Sequence, residues 1–184
     1  MIPLYEICWP SAQQFFNPQC LEYNDQDLAV NYIVNFDINN IVAPEFVDYR
    51  GLQWSHLIYF KKQNISGSIH IDNTHLDDGK TLWGVNWVLD GHGIMEYWNQ
   101  DAVTTVGVTA GSLNREEFGI VPKFVTTNPP NHRFILKKNH VYLINASVPH
   151  RAIGLGNRRL LSLRSHHWHW SWHEVVQRFL DQLH

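Results

Sequence analysis

Two histidines and one aspartate have the types and the spacing of a metal site. His70 and Asp72 lie in the short alternating segment 67–72 (GSIHID). On a β-strand, residues two apart point to the same face, so this imidazole and this carboxylate are presented side by side. A later strand-like segment ends in a Pro-His pair at His150. With His150 as a third ligand, two histidines and one carboxylate would occupy one face of an iron ion and leave three positions open.

The chain contains a second His-x-Asp triplet, which is a weaker candidate. His75 and Asp77 lie in the polar segment 73–80, where turn residues crowd and no alternation fixes a common face. The chain has 12 histidines, so such triplets also arise by chance, and most of these side chains are not expected to bind metal. We therefore prefer His70 and Asp72 as ligands.

Arginines follow His150 at a distance that suits a carboxylate partner. Arg159 lies nine residues after His150, on the next predicted strand. It could hold the far end of a dicarboxylate through a bidentate, charge-assisted pair. On one strand, Arg159 points to the face opposite that of Arg158 and Arg164, and only one of these faces can point into the barrel. Spacing favours Arg159, with Arg158 as the alternative. Arg151, next to His150 in the sequence, is expected to point away from the metal.

The remaining sequence predicts the strands that must position these residues. Gly and Pro are scattered singly between short apolar or alternating stretches, a rhythm typical of all-β proteins. Eight strands are predicted, at 56–62, 67–72, 81–90, 94–98, 120–126, 133–136, 141–147 and 159–172. The residues at 90–93 (DGHG) predict a hairpin, and those at 154–157 (GLGN) predict a turn. Eight short strands favour a sandwich or a barrel.

The two ends of the chain differ from this strand-rich middle. Ser171 and Glu174 are spaced as a capping box, and the apolar residues after them fall on one helical face. A short amphipathic helix is therefore predicted within 171–184. Residues 1–51 are expected to form a cap segment on a barrel that spans 52–170, so that the whole chain is one domain.

Composition excludes several classes of protein. The chain has 184 residues, of which 44% are hydrophobic, so it can bury a core. Its formal net charge of -3 provides no general attraction to a phosphate backbone, and no nucleic-acid partner is expected. No apolar run reaches the roughly 18 residues that would cross a bilayer, and the start lacks the basic region of a secretory signal. We therefore expect a cytoplasmic protein without a membrane partner.

The order His-x-Asp, His, Arg resembles that of the Fe(II)- and 2-oxoglutarate-dependent oxygenases. The pieces that carry the resemblance are SIHID, TLWGVNWVLDGHGIMEYW, VYLINASVPHR and NRRLLSLR, which lie within 52–167. Proteins of this family have a double-stranded β-helix. The resemblance thus implies an all-β, jelly-roll, cupin-like barrel, with a flanking N-terminal segment and a short C-terminal helix.

The resemblance also implies roles for individual residues. The expected iron ligands are His70, Asp72 and His150. Arg159 would bind the 5-carboxylate of 2-oxoglutarate. Asn86 or Trp83, on the strand after the first two ligands, would line the cosubstrate pocket, and the sequence does not settle which of them faces inward.

The implied reaction consumes O2 and 2-oxoglutarate and releases succinate and CO2. It ends in hydroxylation of a substrate C–H bond. The small size of the chain favours a small or exposed target, and the substrate stays open among a free amino acid, a peptide side chain and a small metabolite.

Two other functions compete with an oxygenase. The first is a cupin-like metal enzyme that does not use 2-oxoglutarate, with His75 or Glu96 among its ligands. The second is a non-catalytic β-barrel that serves as a binding module. Tight metal binding would distinguish the two enzymes from the binding module. A requirement for Arg159 would distinguish the oxygenase from the cupin-like enzyme.

Overall fold

Ten β-strands, all paired antiparallel, dominate the described part of the chain. The computed structural model describes residues 1–17, 32–34, 38–47, 49–52, 54–63, 66–72, 81–110, 120–165 and 169–180. The strands are β1 (Leu4–Glu6), β2 (Tyr32–Val34), β3 (Trp54–Gln63), β4 (Ile69–His70), β5 (Trp83–Tyr97), β6 (Thr104–Ala110), β7 (Ile120–Val125), β8 (His132–Leu136), β9 (Val141–Asn145) and β10 (His150–Ser165). The helices are α1 (Ala12–Phe15), α2 (Ile38–Ile41) and α3 (Trp172–Leu180), with 3-10 turns at Pro44–Phe46, Tyr49–Gly51 and Gln100–Ala102.

Two long strands, β5 and β10, run straight through segments that the sequence predicts as turns. The predictions of a hairpin at 90–93 and of a turn at 154–157 are wrong. Gly91 has φ 68° and Gly156 has φ 73°, and the register between β5 and β10 shifts at this level. Glycine supplies positive φ both in turns and in β-bulges. Here the two glycines bend the paired strands without reversing them.

Because β5 and β10 bend together, each contributes to two sheets. The first sheet has the order β1-β9-β5-β10-β3-β2 and uses the first half of β5 and the second half of β10. The second sheet has the order β8-β5-β10-β4-β7-β6 and uses the other two halves. Strands that pass from one sheet to the other in this way make a jelly roll. The prediction of an all-β double-stranded β-helix is confirmed.

Apolar side chains fill the space between the two sheets and cover the back of the first. Between the sheets, residues of both pack together, among them Val88, Tyr142 and Leu160 of the first sheet and Met95, Tyr97 and Leu136 of the second. A larger, aromatic-rich cluster lies on the other face of the first sheet, against α1 and α3. We call the face between the sheets the inner face and the other the outer face.

The C-terminal helix forms where the sequence predicts it. The Ser171 backbone N–H donates to Glu174 Oε2 at 2.7 Å, and the Glu174 N–H donates to Ser171 Oγ at 3.3 Å, as a capping box requires. The predicted strand at 159–172 is wrong at its end, because β10 stops at Ser165 and α3 already begins at Trp172. The Trp172 indole donates to the Ile2 carbonyl at 2.8 Å, which ties the start of α3 to the segment before β1.

Three observed strands, β1, β2 and β6, have no counterpart among the predicted ones. β1 adds an edge to the first sheet by pairing with β9, and β6 adds an edge to the second by pairing with β7. In the part of the chain that the structure describes, no helix has the length and apolar character needed to cross a membrane.

Candidate metal centre

Pairing between β4 and β10 brings the three predicted ligands together. His70 ends β4 and lies directly opposite His150, the first residue of β10. Asp72 follows β4, and its backbone N–H donates to the Ala146 carbonyl at 3.1 Å. One donor atom of each of the three side chains lies within 4.8 Å of the others. Asp72 Oδ1 is 3.1 Å from His70 Nε2 and 3.7 Å from His150 Nε2, so the cluster could hold a metal ion.

The backbone orients both imidazoles. His70 Nδ1 is 2.8 Å from the Ser68 carbonyl oxygen, and His150 Nδ1 is 2.8 Å from the Val148 carbonyl oxygen. A carbonyl can only accept, so each Nδ1 carries the proton and each Nε2 keeps its lone pair for a ligand bond. This arrangement is typical of histidines that bind metals.

Arg164 holds Asp72 in place, a role that the sequence did not predict. Its Nη2 donates to Asp72 Oδ2 at 2.6 Å, which leaves Oδ1 directed at the two imidazoles. Gly84 lies opposite Arg164 in the register, and a Cβ there would be 3.0 Å from Arg164 Cδ. The signal that could have identified Arg164 is its even spacing from His150, which places both side chains on one face of a continuous strand.

Electrostatics set the protonation of two ligands in favour of metal binding. Burial opposes ionisation of Asp72, but the Arg164 guanidinium, together with the adjacent His70 and His150 side chains, outweighs it and holds the pKa of this carboxyl well below its usual range. Burial, helped by the nearby His70, lowers the pKa of His150 to about 4. At neutral pH, Asp72 is therefore ionised and His150 neutral, the forms in which each residue binds a metal.

Beyond the three candidate ligands and Arg164, the inner face carries four buried polar side chains with unsatisfied atoms. These atoms are Arg158 Nε and Nη1, Asn86 Oδ1, Ser162 Oγ and Tyr97 OH, none of which has a hydrogen-bond partner among the described residues. All four residues are 4% exposed or less. An unpaired buried polar group costs roughly 1–3 kcal/mol, so a cluster of them is expected where a polar ligand binds.

The structure does not bring Arg159 to the cluster. Arg159 points to the outer side, 35% exposed, with Nη2 3.9 Å from Asp90 Oδ2. Arg158 is on the inner face and is 2% exposed. Gly93 leaves room for it, since a Cβ there would be 2.6 Å from Arg158 Nη1. Burial lowers the pKa of Arg158 to about 10, so it stays a cation at neutral pH.

The alternative between Asn86 and Trp83 is resolved by the two faces of β5. Asn86 lies opposite Ser162 and Tyr142 and shares their inner face. Trp83 is on the outer face, where its ring stacks on Trp170 with 6.1 Å between the ring centroids and packs edge-to-face with Phe179 of α3. Of the two, Asn86 lies where it could line a ligand pocket.

Glu96 and Arg151 lie on the far side of the second sheet from the candidate ligands. Arg151 Nε donates to Glu96 Oε2 at 2.9 Å, and Arg133 Nε is 3.6 Å from Glu96 Oε1. Arg151 also lies over the Trp98 ring at 5.2 Å. This ion-paired arrangement uses Glu96 in packing and leaves it out of the metal cluster. His75 and Asp77 lie outside the described residues.

Comparison with known proteins gives fold likenesses only at low similarity. No protein-family profile and no curated protein matches the sequence. Similar solved structures include E. coli ycfD (TM-score 0.37, 12% identity, 68% of this chain and 29% of that chain). The hydroquinone 1,2-dioxygenase PnpCD has a TM-score of 0.35 at 14% identity, with 60% of this chain and 56% of that chain covered. For dTDP-4-dehydrorhamnose 3,5-epimerase from Elizabethkingia anophelis, the TM-score is 0.36 at 12% identity, covering 82% and 76%.

The chain spans less than a third of ycfD and a little more than half of the dioxygenase chain. Likenesses of this size do not assign an activity. The chain's own residues are more informative: the inner face of its jelly-roll fold carries a cluster that could hold a metal ion.

Proposed function

We propose that the chain is an Fe(II)- and 2-oxoglutarate-dependent oxygenase. It would hydroxylate a C–H bond of an amino acid, a peptide side chain or a small metabolite. One observation supports this most strongly: a two-histidine, one-carboxylate cluster and a buried guanidinium with unsatisfied N–H groups lie on the same inner face. The cluster suits iron, and the guanidinium suits the far carboxylate of a dicarboxylate.

The residues present fit both groups. His70, Asp72 and His150 would hold Fe(II) through two imidazole nitrogens and one carboxylate oxygen. The unsatisfied N–H groups of Arg158 would donate to the 5-carboxylate of 2-oxoglutarate, and Ser162 Oγ is a further donor on the same strand face. We assign the anchoring role to Arg158 because Arg159 points to the outer side.

The chain's contribution to the reaction is geometry, charge and exclusion of water. When bound together, iron, 2-oxoglutarate and O2 supply the oxidising chemistry, in which decarboxylation to succinate and CO2 accompanies hydroxylation of the substrate. Arg164 restrains Asp72 so that one carboxylate oxygen remains for the metal. The carbonyl partners of His70 and His150 hold the imidazoles in one tautomer, and the apolar side chains between the sheets would exclude water from a bound ligand.

Equilibrium dialysis against Fe(II) under anaerobic conditions tests the metal assignment. We expect one iron per wild-type chain and none in Asp72→Ala or His150→Ala. His92→Ala is the matched control, because His92 is an exposed histidine on β5, and it should bind iron like the wild type. The iron-loaded wild type should then convert 2-oxoglutarate to succinate in air.

The other outcomes of this experiment point to the competing functions. Tight, His150-dependent iron binding without any 2-oxoglutarate turnover would indicate a cupin-like enzyme that uses another cosubstrate. If the wild type binds no iron, the protein is a binding module and the proposal is wrong.

A further inference from the structure

The hairpin of β6 and β7 extends the second sheet beyond the metal cluster. Across this sheet, His150, His70, Lys123 and Gly107 lie directly opposite one another in successive strands. Residues opposite each other in antiparallel strands share a face, with Cβ atoms about 4.5–5.5 Å apart. Lys123 therefore projects from the same face as the two histidines and is the immediate neighbour of His70.

Among the described side chains of β6 and β7, those on this face are exposed near Lys123, in contrast to the part that the first sheet covers. Thr104 is exposed and Val125 is 52% exposed, whereas Leu136, on the covered part, is fully buried. At Gly107, a Cβ would meet no atom within 4 Å. We call the surface of Thr104, Gly107, Lys123 and Val125 the open floor.

The metal cluster lies at the border between the covered and the open part. The side chains of His70 and Asp72 are 26% and 22% exposed, whereas that of His150 is 5% exposed. The cluster is thus reached from the side of β4, which is the side on which the open floor begins. Lys123, the neighbour of His70 on this side, therefore lies beside the exposed edge of the cluster.

Lys123 is a half-buried cation that makes no hydrogen bond or ion pair with any other described residue. The nearest described carboxylate on this face, Asp72, is already held by Arg164 at 2.6 Å. An ammonium group has three donors and no acceptor, so its natural partner is an anion. The next residue of β7, Phe124, points to the opposite side of the sheet and packs there with Ile69 and Trp98. This packing fixes the orientation of the strand and hence the face from which Lys123 projects.

We propose that Lys123 binds an anionic group, a carboxylate or a phosphate, of the primary substrate as it lies on the open floor. This inference rests on the proposed function, since it takes the neighbouring cluster to be the metal centre. It narrows the substrate class: an acidic amino acid, metabolite or phosphomonoester would be preferred over its neutral counterpart, because the neutral compound leaves the ammonium unpaired.

The test uses cobalt in place of iron and small anions as probes. Protein loaded with Co(II) and 2-oxoglutarate is titrated with 13C-acetate and, separately, with inorganic phosphate, and the paramagnetic broadening of each probe signal is measured. We expect broadening by at least one of the anions, and the stronger of the two identifies the class of group. Lys123→Met should weaken the anion's binding by roughly tenfold or more, and Lys123→Arg should retain it.

Lys137→Met is the matched control, because Lys137 is an exposed lysine distant in the sheet order from β4, and it should behave as the wild type. Equal broadening of the probe signals with wild type and with Lys123→Met would show that the anion binds the metal itself, and this would overturn the inference. The inference would also be overturned if neither probe signal broadened. Cobalt stoichiometry and 2-oxoglutarate binding are measured first on the same samples. If the wild type binds neither cobalt nor 2-oxoglutarate, the proposed function itself is wrong. If both bind but Lys123→Met does not weaken anion binding, only the inference about the substrate is wrong.

Discussion

The two faces of the first sheet use neighbouring residues of the same strands in different ways. On the outer face of β5 and β10, Trp83, Trp87 and Leu161 pack into an aromatic-rich cluster with the terminal segments. On the inner face, Asn86 and Ser162 are just as buried but have unsatisfied polar atoms. Burial alone therefore does not distinguish residues that stabilise the fold from residues that are available to a ligand.

The unsatisfied polar atoms of the inner face lower the stability of the fold. Apolar burial on the outer face contributes about 25 cal/mol per Å² of area removed from water. A buried guanidinium without sufficient partners opposes folding, since its charge has lost water without full compensation. Variants of the outer face should lower stability and spare ligand binding. Apolar variants of the buried guanidinium on the inner face should do the reverse.

The largest expected effect is on the outer face. Trp83→Ala removes a fully buried ring that contacts Trp170 and Phe179, and we expect the free energy of unfolding to fall by about 3–5 kcal/mol. Urea unfolding followed by circular dichroism measures this. The folded fraction should still bind one metal ion, and a loss below about 1 kcal/mol would contradict the role of this cluster.

Arg158→Met should change stability in the opposite direction. Burial lowers the pKa of Arg158 from 12.5 to about 10, which corresponds to a cost of up to about 3 kcal/mol for the charged form. Methionine is apolar and of similar length, so the ligand-free variant should unfold at a higher urea concentration than the wild type. Arg159→Met, on the exposed side, should change the free energy of unfolding by less than about 0.5 kcal/mol. A large destabilisation by Arg158→Met would mean that the guanidinium has structural partners.

Acid should destabilise the metal-free protein through His150. Its pKa is about 4 when folded and 6.5 in the unfolded chain, so the unfolded state binds more protons between these values. The free energy of unfolding therefore decreases as the pH falls from 6.5 to 4, by up to about 3 kcal/mol. Urea unfolding at several pH values measures the slope, and His150→Gln should flatten it. Parallel slopes for the two proteins would refute this origin of the effect.

A smaller effect is expected from a single methyl group beside Arg158. In Gly93→Ala the new Cβ would lie 2.6 Å from Arg158 Nη1 and 2.7 Å from its Cδ, so the flexible guanidinium must move. We expect 2-oxoglutarate to bind about tenfold more weakly, since one charge-assisted hydrogen bond is lost, with metal stoichiometry unchanged. Gly107→Ala is the control, because no atom lies within 4 Å of its Cβ position. Equal 2-oxoglutarate affinities in the two variants would show that Gly93 does not make room for the anchoring guanidinium.

Local spacing was sufficient to predict the all-β class and to select three side chains that the structure brings together in one cluster. Alternation placed β7 and β8 within about one residue of their observed bounds, because a half-buried strand has a period of two. His70 and Asp72 were found because two residues of one strand share a face whatever the tertiary fold. His150 followed from the end of a strand, and its pairing opposite His70 is a long-range contact that the sequence did not specify.

The expectation that Arg159 rather than Arg158 faces inward was wrong for a related reason. A turn at 154–157 would interrupt strand parity, so counting from His150 across it carries no information. In the continuous β10, His150 and Arg158 are an even number of residues apart and share the inner face. Glycine residues with positive φ occur in turns and bulges alike, and only the pairing of β5 with β10 distinguishes the two.

The central claim is that the inner face holds iron and 2-oxoglutarate together, with Arg158 as the anchor. The most direct measurement is an anaerobic titration of the Fe(II)-loaded protein with 2-oxoglutarate, following the visible charge-transfer band of the chelated iron in the wild type, Arg158→Met and Arg159→Met. We expect the band in the wild type and in Arg159→Met, and at least a tenfold higher 2-oxoglutarate requirement in Arg158→Met. Absence of the band in iron-loaded wild type, or equal titrations for the two arginine variants, would contradict the claim.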